Sequence, residues 1–178
     1  MPLIVAPALN ADSYVALAEA DAWHTDRGHV AWTGADGVKE TALRRATSWI
    51  DATFGFRFSG AKASGRSQSL AWPRIGATDA DGLAIPSDEI PVEIKRATFE
   101  AALRELVSPG SLNPDIVPVT TTGGAVKRVR KKVGPLETET EYTEGGSSEM
   151  SQPIFPVIEG ILAGLIGRGF MRPAIFVV

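Results

Sequence analysis

The stretch "VKETALRRATSWIDATF", Val38 to Phe54, decides the fold. Ala42, Ala46, Trp49, Ile50 and Thr53 fall on one stripe at helical spacing, with Leu43 and Phe54 beside it. Asp36 stands where an N-cap belongs, and Gly55 where a helix stops. A second helix of the same kind lies downstream in "VEIKRATFEAALRELV", Val92 to Val107, with Pro91 at its first helical position after Asp88. Here Val92, Phe99, Leu103 and Leu106 make one apolar stripe, and Ile94, Ala97 and Ala101 make another. A helix with two stripes is buried on two sides. Glu100 and Arg104 add an i,i+4 pair worth roughly 0.2–0.5 kcal/mol. Two such helices predict a mainly α fold.

Working outward, "SYVAL" (Ser13 to Leu17) alternates briefly and reads as a short strand. "AEADAWHTDRG" reads as a short helix ended by Gly28, with acids early and Arg27 late, as the helix dipole prefers. Residues 55–90 are rich in Gly, Pro, Ser and Asp and read as a long structured loop, with short strands around "FRF" and "LAWPR". "SPGSLNPDIVPVTTTGG" is a linker, the charged stretch "VKRVRKKVGPLETETEY" follows, and "TEGGSSEMSQP" is a second link. Pro156 opens a short helix in which Ile158, Ile161, Leu162, Leu165 and Ile166 share one side and Gly160, Gly164 and Gly167 the other, a surface that allows another backbone to come close. The organisation expected is a helical core domain over 1–108, a linker over 109–125 and a β-hairpin excursion over 126–144. An extended C-terminal arm over 145–178 carries the short helix and the apolar tail "FMRPAIFVV".

Composition excludes whole classes of function. The 178 residues are 44% hydrophobic and 22% charged, as in a globular chain, and the net charge of -3 argues against a general polyanion binder. With no cysteine there is no disulfide, thiolate metal site or cysteine nucleophile. The N-terminus "MPLIVAPALNADSY" has neither the basic region nor the apolar core of a signal peptide. No apolar run reaches the roughly 18 residues that span a bilayer, so no membrane partner is expected.

In the charged stretch, Lys127, Arg128, Arg130, Lys131 and Lys132 precede Glu137, Glu139 and Glu141. The basic run is either a grip for a polyanion or one side of a hairpin whose other side is acidic. A turn at Gly134-Pro135 sets Lys132 opposite Glu137, Arg130 opposite Glu139 and Arg128 opposite Glu141, all on one face because their spacing is two. Val129 then faces Thr140 and Lys127 faces Tyr142. Opposite charges paired across strands contribute roughly 0.2–1 kcal/mol each, so the hairpin reading is preferred. Gly-Pro is a poor two-residue turn, and an odd-length loop would shift the register by one.

Catalytic motifs do not hold up. "GAKASGRS" imitates a phosphate loop but lacks its lysine and its following helix. "ATDADGLAIPSD" resembles a calcium loop but has Ala77 first and Asp88 last where acidic and bidentate ligands belong, so it reads as an Asp-Gly turn. His24 and His29 straddle Gly28 at a spacing unsuited to a helical metal pair, and a structural role is expected. No enzyme activity, catalytic residue, cofactor or metal is expected. One basic feature stands apart. From Ala52 to Thr78 there is no acid, while Arg57, Lys62, Arg66 and Arg74 are interleaved with Phe54, Phe56, Phe58 and Trp72. Such mixtures bind single strands by charge and stacking, but they equally build a core with solvated or partner-binding cations, which is the preferred reading.

The segments "SYVALAEADAWHTDRG", "KETALRRATSWIDATF", "LAWPR", "DGLAIPSDEIPVEIKRATFEAAL" and "VKRVRKKVGPLETETEY", in this order, resemble a family of tailed-phage head-to-tail adaptors, or head-tail connectors. Related sequences often carry the label of DnaT-like single-stranded DNA binding proteins. The resemblance covers about residues 12–142, and "PVIEGILAGL" is similar to the family's short terminal helix. It implies a small helical bundle with a strand excursion, and a structural virion protein of the neck, at the head-tail junction, made in the host bacterial cytoplasm. It implies a ring of about twelve neighbouring copies under the portal protein, with genomic DNA passing through without specific binding. A stopper or tail-completion protein would lie below, and single-stranded DNA binding is the alternative. On this reading Phe170, Met171, Arg172, Pro173, Ile175, Phe176, Val177 and Val178 form a portal-docking tail. Arg128, Arg130, Lys132, Glu137, Glu139 and Glu141 form a subunit-contact hairpin, and Arg57, Lys62, Arg66, Trp72 and Arg74 a candidate nucleic-acid or partner loop.

Overall fold

The computed structural model describes residues 2–113, 126–132, 137–142 and 155–166. Among them are four α-helices: α1 Leu17–Asp26, α2 Asp36–Phe54, α3 Val92–Val107 and α4 Pro156–Leu162. The fold is mainly α. One unit comprises Met1–Leu112 together with Phe155–Val178, the other Asn113–Ile154.

The first unit is organised around α2 and α3, which pack along each other. Ala42, Leu43, Ala46, Thr47, Ile50 and Phe54 are buried on α2, and Ile94, Ala97, Thr98, Phe99, Ala101 and Ala102 on α3, so the sequence stripes are buried except at Trp49, Thr53, Leu103 and Leu106, which are half-buried, and at Val92. The small residues let the helices come close. Val92, expected in a stripe, is instead half in water, because α3 begins beside it at Pro91, its N-cap. A buried carboxylate near the C-terminal end of α3 joins it to the middle of α2. Glu105 accepts from Arg45 at 2.9 Å and, through the same oxygen, from the backbone N–H of Gly110 at 2.9 Å.

The short helix α4 belongs to this core. Ile158, Leu162 and Leu165 are buried in it, and Phe155 meets Trp49 edge-on at 5.3 Å. This corrects the expectation of an arm over 145–178 as far as residues 155–166 are concerned: an apolar stripe of this size is stable in water only when covered, and α3 covers it. Gly164 offers its carbonyl to Ala80 N–H at 2.7 Å, tying the helix to the loop before α3.

Other local differences have plain causes. Asp36 is the first helical residue, one place inside the cap position held by Ala35, and keeps its favourable place at the positive end of the dipole. Gly55 does not break α2 in a left-handed conformation; at φ -55° it leads into a 3-10 turn, Gly55–Arg57, where a strand around "FRF" was expected. "SYVAL" contributes one isolated bridge, Ser13 to Val5, instead of a strand. The loop's strands are β1 Ala61–Lys62 and β2 Arg74–Ile75, paired antiparallel.

The second unit contains the hairpin, β3 Val126–Lys132 and β4 Glu137–Tyr142, also antiparallel. Its register places Lys132 opposite Glu137, Arg130 opposite Glu139 and Arg128 opposite Glu141, with Val129 opposite Thr140. Tyr142 faces Val126 and not Lys127, because the register shifts between Val126 and Arg128 and leaves one extra residue on β3. Glu139→Lys, which sets a cation opposite Arg130, is expected to destabilise the hairpin by about 0.5–1 kcal/mol. Adding Arg130→Glu restores most of that loss, and a double-mutant cycle on the amide exchange of β3 and β4 measures the coupling.

Candidate nucleic-acid and partner interface

The cation-aromatic loop between Phe54 and Arg74 is the part of the sequence closest to a binding surface, so where its side chains point is decisive. The motif Leu70-Ala71-Trp72-Pro73-Arg74 is buried throughout. Arg74 is 8% exposed, and its guanidinium faces inward. It donates through Nε to Ser59 O at 2.6 Å, through Nη1 to Ala71 O at 3.2 Å, and through Nη2 to Phe58 O and Gly60 O at 3.2 and 2.7 Å. Burial lowers its pKa from the ordinary arginine value, while Tyr14 and Asp51 pull it back up. The fork of donors matches four carbonyls that fold into no helix or sheet ladder long enough to satisfy them.

Trp72 is 1% exposed and lies edge-on to Phe58 at 5.6 Å. The backbone on its N-terminal side is held by a second polar group. The Tyr14 hydroxyl accepts from Ala71 N–H at 3.1 Å and Trp72 N–H at 3.2 Å, and donates to Asp51 Oδ1. Asp51 Oδ2 accepts from Ala71 N–H at 2.8 Å. Burial, then the Asp51 carboxylate, push the Tyr14 phenol well above its usual value, so it stays a donor. Burial raises the Asp51 carboxyl as well, against the bonds from Tyr14 and Ala71 that favour its charge.

The remaining loop cations divide. Lys62 is half-buried with its ammonium on Gln68 O and Ser69 O, both at 3.1 Å. Gln68, itself buried, donates to Leu70 O and Pro73 O, each at 3.0 Å, and closes the same turn. Arg57 is half-buried beside the Phe54 ring at 5.8 Å, and Arg66 is exposed. Among the aromatics, Phe54 and Phe58 are buried and Phe56 is 83% exposed. The candidate loop is therefore corrected in part: Trp72 and Arg74 are core, and Lys62 is a turn clamp. Arg57, Arg66 and Phe56 are the members a ligand can reach.

Tyr14, Asp51 and Gln68 were missed as members of this network. Asp51 carried a readable signal, because Thr47, Ile50, Asp51 and Phe54 share one helical face and an acid among three core positions needs partners. Gly60 is also fixed by the loop: at φ +70°, a Cβ there would stand 2.4 Å from Ile75 O.

Elsewhere, a cleft of about 590 Å3 is lined by Glu19, Asp88 and Glu89 against a single Lys95, with Val5 and Ile90 in its walls. Its sign disfavours phosphate. In the turn "ATDADG", Asp79 Oδ1 accepts from Asp81 N–H and Leu83 N–H at 2.9 and 2.8 Å, as an Asp-Gly turn requires. Among the described residues no three acidic or histidine side chains are grouped to hold a metal, and no helix is long and apolar enough to cross a membrane. For the hairpin cations and acids it is the strand register that is described; Phe170, Met171, Arg172, Pro173, Ile175, Phe176, Val177 and Val178 lie outside the described residues.

A family described as "Putative DnaT-like ssDNA binding protein" matches residues 1–176. The chain belongs to this family. No curated protein and no solved structure matches it. The DnaT-like match runs through the helical unit and the hairpin alike, so the buried Leu70–Arg74 motif and the charged strands are parts of one family sequence.

Removing the guanidinium fork leaves four carbonyls without their donor. Arg74→Met is expected to cost about 3 kcal/mol or more, whereas Arg66→Ala stays within about 0.5 kcal/mol. Urea denaturation of the two variants beside the parent protein reads both.

Proposed function

We propose that this member of the DnaT-like family is a structural virion protein: a head-to-tail adaptor that joins neighbouring copies in a ring under a portal protein. Its role is mechanical and not catalytic. About twelve copies enclose a passage for genomic DNA, and a stopper or tail-completion protein closes the lower side. The protein is made in the host bacterial cytoplasm and acts in the virion neck.

The observation that carries this reading is the inward direction of Arg74, Lys62, Phe54, Phe58 and Trp72, five of the eight cations and aromatics of the loop. Arg74 spends its donors on backbone carbonyls, and Lys62 does the same. Phe54, Phe58 and Trp72 spend their faces on the core. A protein built to grip a single strand needs these groups on its surface, as stacking platforms and phosphate contacts. One that lets DNA slide past does better without them. The hairpin register agrees, since three basic positions each face an acidic one.

Single-stranded DNA binding is the second reading. The family description favours it, as does the exposed Phe56 next to Arg57. Fluorescence anisotropy with labelled oligonucleotides at 50 and 200 mM salt separates the two. The adaptor reading expects only non-specific affinity, about 10⁻⁴–10⁻⁶ M at physiological salt. Sub-micromolar, steeply salt-sensitive binding by a monomer, together with virions that lack the protein, would overturn it.

The apolar tail is assigned to the portal. Ile175, Phe176 and the two valines would each contribute roughly 1.5–3 kcal/mol on burial, before ordering costs. Deleting Ala174 to Val178 is expected to leave the melting temperature nearly unchanged and to abolish attachment to portal-containing heads, as seen by sedimentation and micrographs. Normal attachment of the truncated chain would move the docking surface elsewhere.

A further inference from the structure

We propose that His24 and His29 form a proton-controlled latch, which closes the turn after α1 onto the aromatic core and opens in acid. The two rings meet Nδ1 to Nδ1 at 2.9 Å. A contact of that length between imidazole nitrogens holds one proton: one ring donates and the other accepts. His24 is 1% exposed, stacks on Trp32 at 4.2 Å and meets the edge of Phe99 at 6.2 Å. Its Nε2 is buried without a hydrogen-bond partner.

These facts assign the tautomer. A proton on His24 Nε2 would be a buried donor with no acceptor, which is costlier than a bare lone pair there. His24 therefore carries its proton on Nδ1 and donates it to His29 Nδ1. His29 carries its own on Nε2, on a ring that is only partly buried.

A second proton has no good place. On His29 Nδ1 it sets two N–H groups head to head. On His24 Nε2 it puts a charge in an apolar wall. Burial, and next the charge of His29, hold His24 down at about 4; Asp21 opposes this, while Arg27 and Lys39 add to it. These groups face the ring from α1, from the residue after α1 and from α2, and α3 meets it with Phe99. The folded value lies below the ordinary 6.5, so the folded state binds fewer protons than the open one. Stability present above pH 6.5 is thus lost as pH falls from there toward 4.

What opens is local. His29 N–H donates to His24 O, and Trp32 N–H to His29 O, both at 2.9 Å. Trp32 Nε1 donates to Asp21 Oδ1 at 2.7 Å, an oxygen shared with Lys39. Val30, 91% exposed, sits between the two histidine-anchored bonds. The Tyr14–Asp51 and Arg74 bonds involve no residue of this turn, so the Leu70–Arg74 motif and its anchor on α2 keep their bonds while it opens.

The test uses the full chain. Long-range proton–nitrogen spectra of the imidazoles at pH 7.5 are expected to show His24 protonated on Nδ1, with a titration midpoint below 5. Amide exchange at Gly28, His29, Val30 and Trp32, corrected for the intrinsic rate, is expected to rise at least about tenfold between pH 7 and pH 5, while α2 and α3 do not change. His24→Phe keeps the ring packing and should abolish that rise. If that variant does not fold, His29→Gln, whose amide oxygen still accepts from His24, should keep the turn closed to lower pH than the parent. A His24 midpoint near 6.5, a proton on Nε2, or an unchanged acid response in the variants would overturn the latch.

Discussion

The buried guanidinium of Arg74 is the constraint on which the rest of the first unit depends. Residues 55–90 connect two core helices without forming regular structure of any length, and part of this connection runs through the interior. A buried loop exposes its own backbone groups to an environment that cannot hydrogen-bond them. Arg74 solves this for the carbonyls of Phe58, Ser59, Gly60 and Ala71. Tyr14 and Asp51 solve it for the N–H groups of Ala71 and Trp72. The two sets are complementary: a cation takes the acceptors, and a hydroxyl with a carboxylate takes the donors. With both in place, Leu70 and Trp72 bury their side chains beside backbone that is hydrogen-bonded at both groups of Ala71 and at the Trp72 N–H.

The same network joins segments far apart in sequence. Tyr14 precedes α1, Asp51 lies in the last turns of α2, and the Leu70–Arg74 motif sits in the loop. Hydrophobic packing holds α2 against α3, but it is not directional. The polar network supplies direction, because its members fit in one arrangement. Around α1 the ordering is aromatic. Trp23 stacks on Phe99 at 4.9 Å with the Arg27 guanidinium 3.1 Å from its ring centre, while His24 stacks on Trp32.

The helices were legible in the sequence because their signal is periodic and local. Val38–Phe54 and Val92–Val107 each show their buried stripe without any tertiary knowledge, and the hairpin register followed from opposite charges at spacing two. The loop was not legible, for a physical reason. Arg74 and Arg66 look alike as letters, and which of them turns inward depends on carbonyls up to sixteen residues away that come together only in the fold. The interleaved aromatics misled in the same way: Phe56 and Phe58 differ by two positions, yet a 3-10 turn leaves the first in water and brings the second into the core. The fate of α4 was hidden because an amphipathic helix does not say what covers its stripe.

That α4 is core changes how the chain should be understood. Asn113–Ile154 is an insertion between α3 and α4, two helices of one packed unit. Closing a loop across an insertion costs entropy that grows only as the logarithm of its length, about 0.6 kcal/mol per doubling. The burial of Ile158, Leu162 and Leu165 readily exceeds so small an increment, at roughly 1.5–3 kcal/mol for each side chain. The entropy of closing the insertion is therefore a small term beside the burial that holds α4. The strands of the inserted unit satisfy each other across the ladder, where Arg128, Arg130 and Lys132 each stand opposite an acid. The first unit is thus completed by two stretches of chain far apart in sequence, and the burial of α4 is what brings them together.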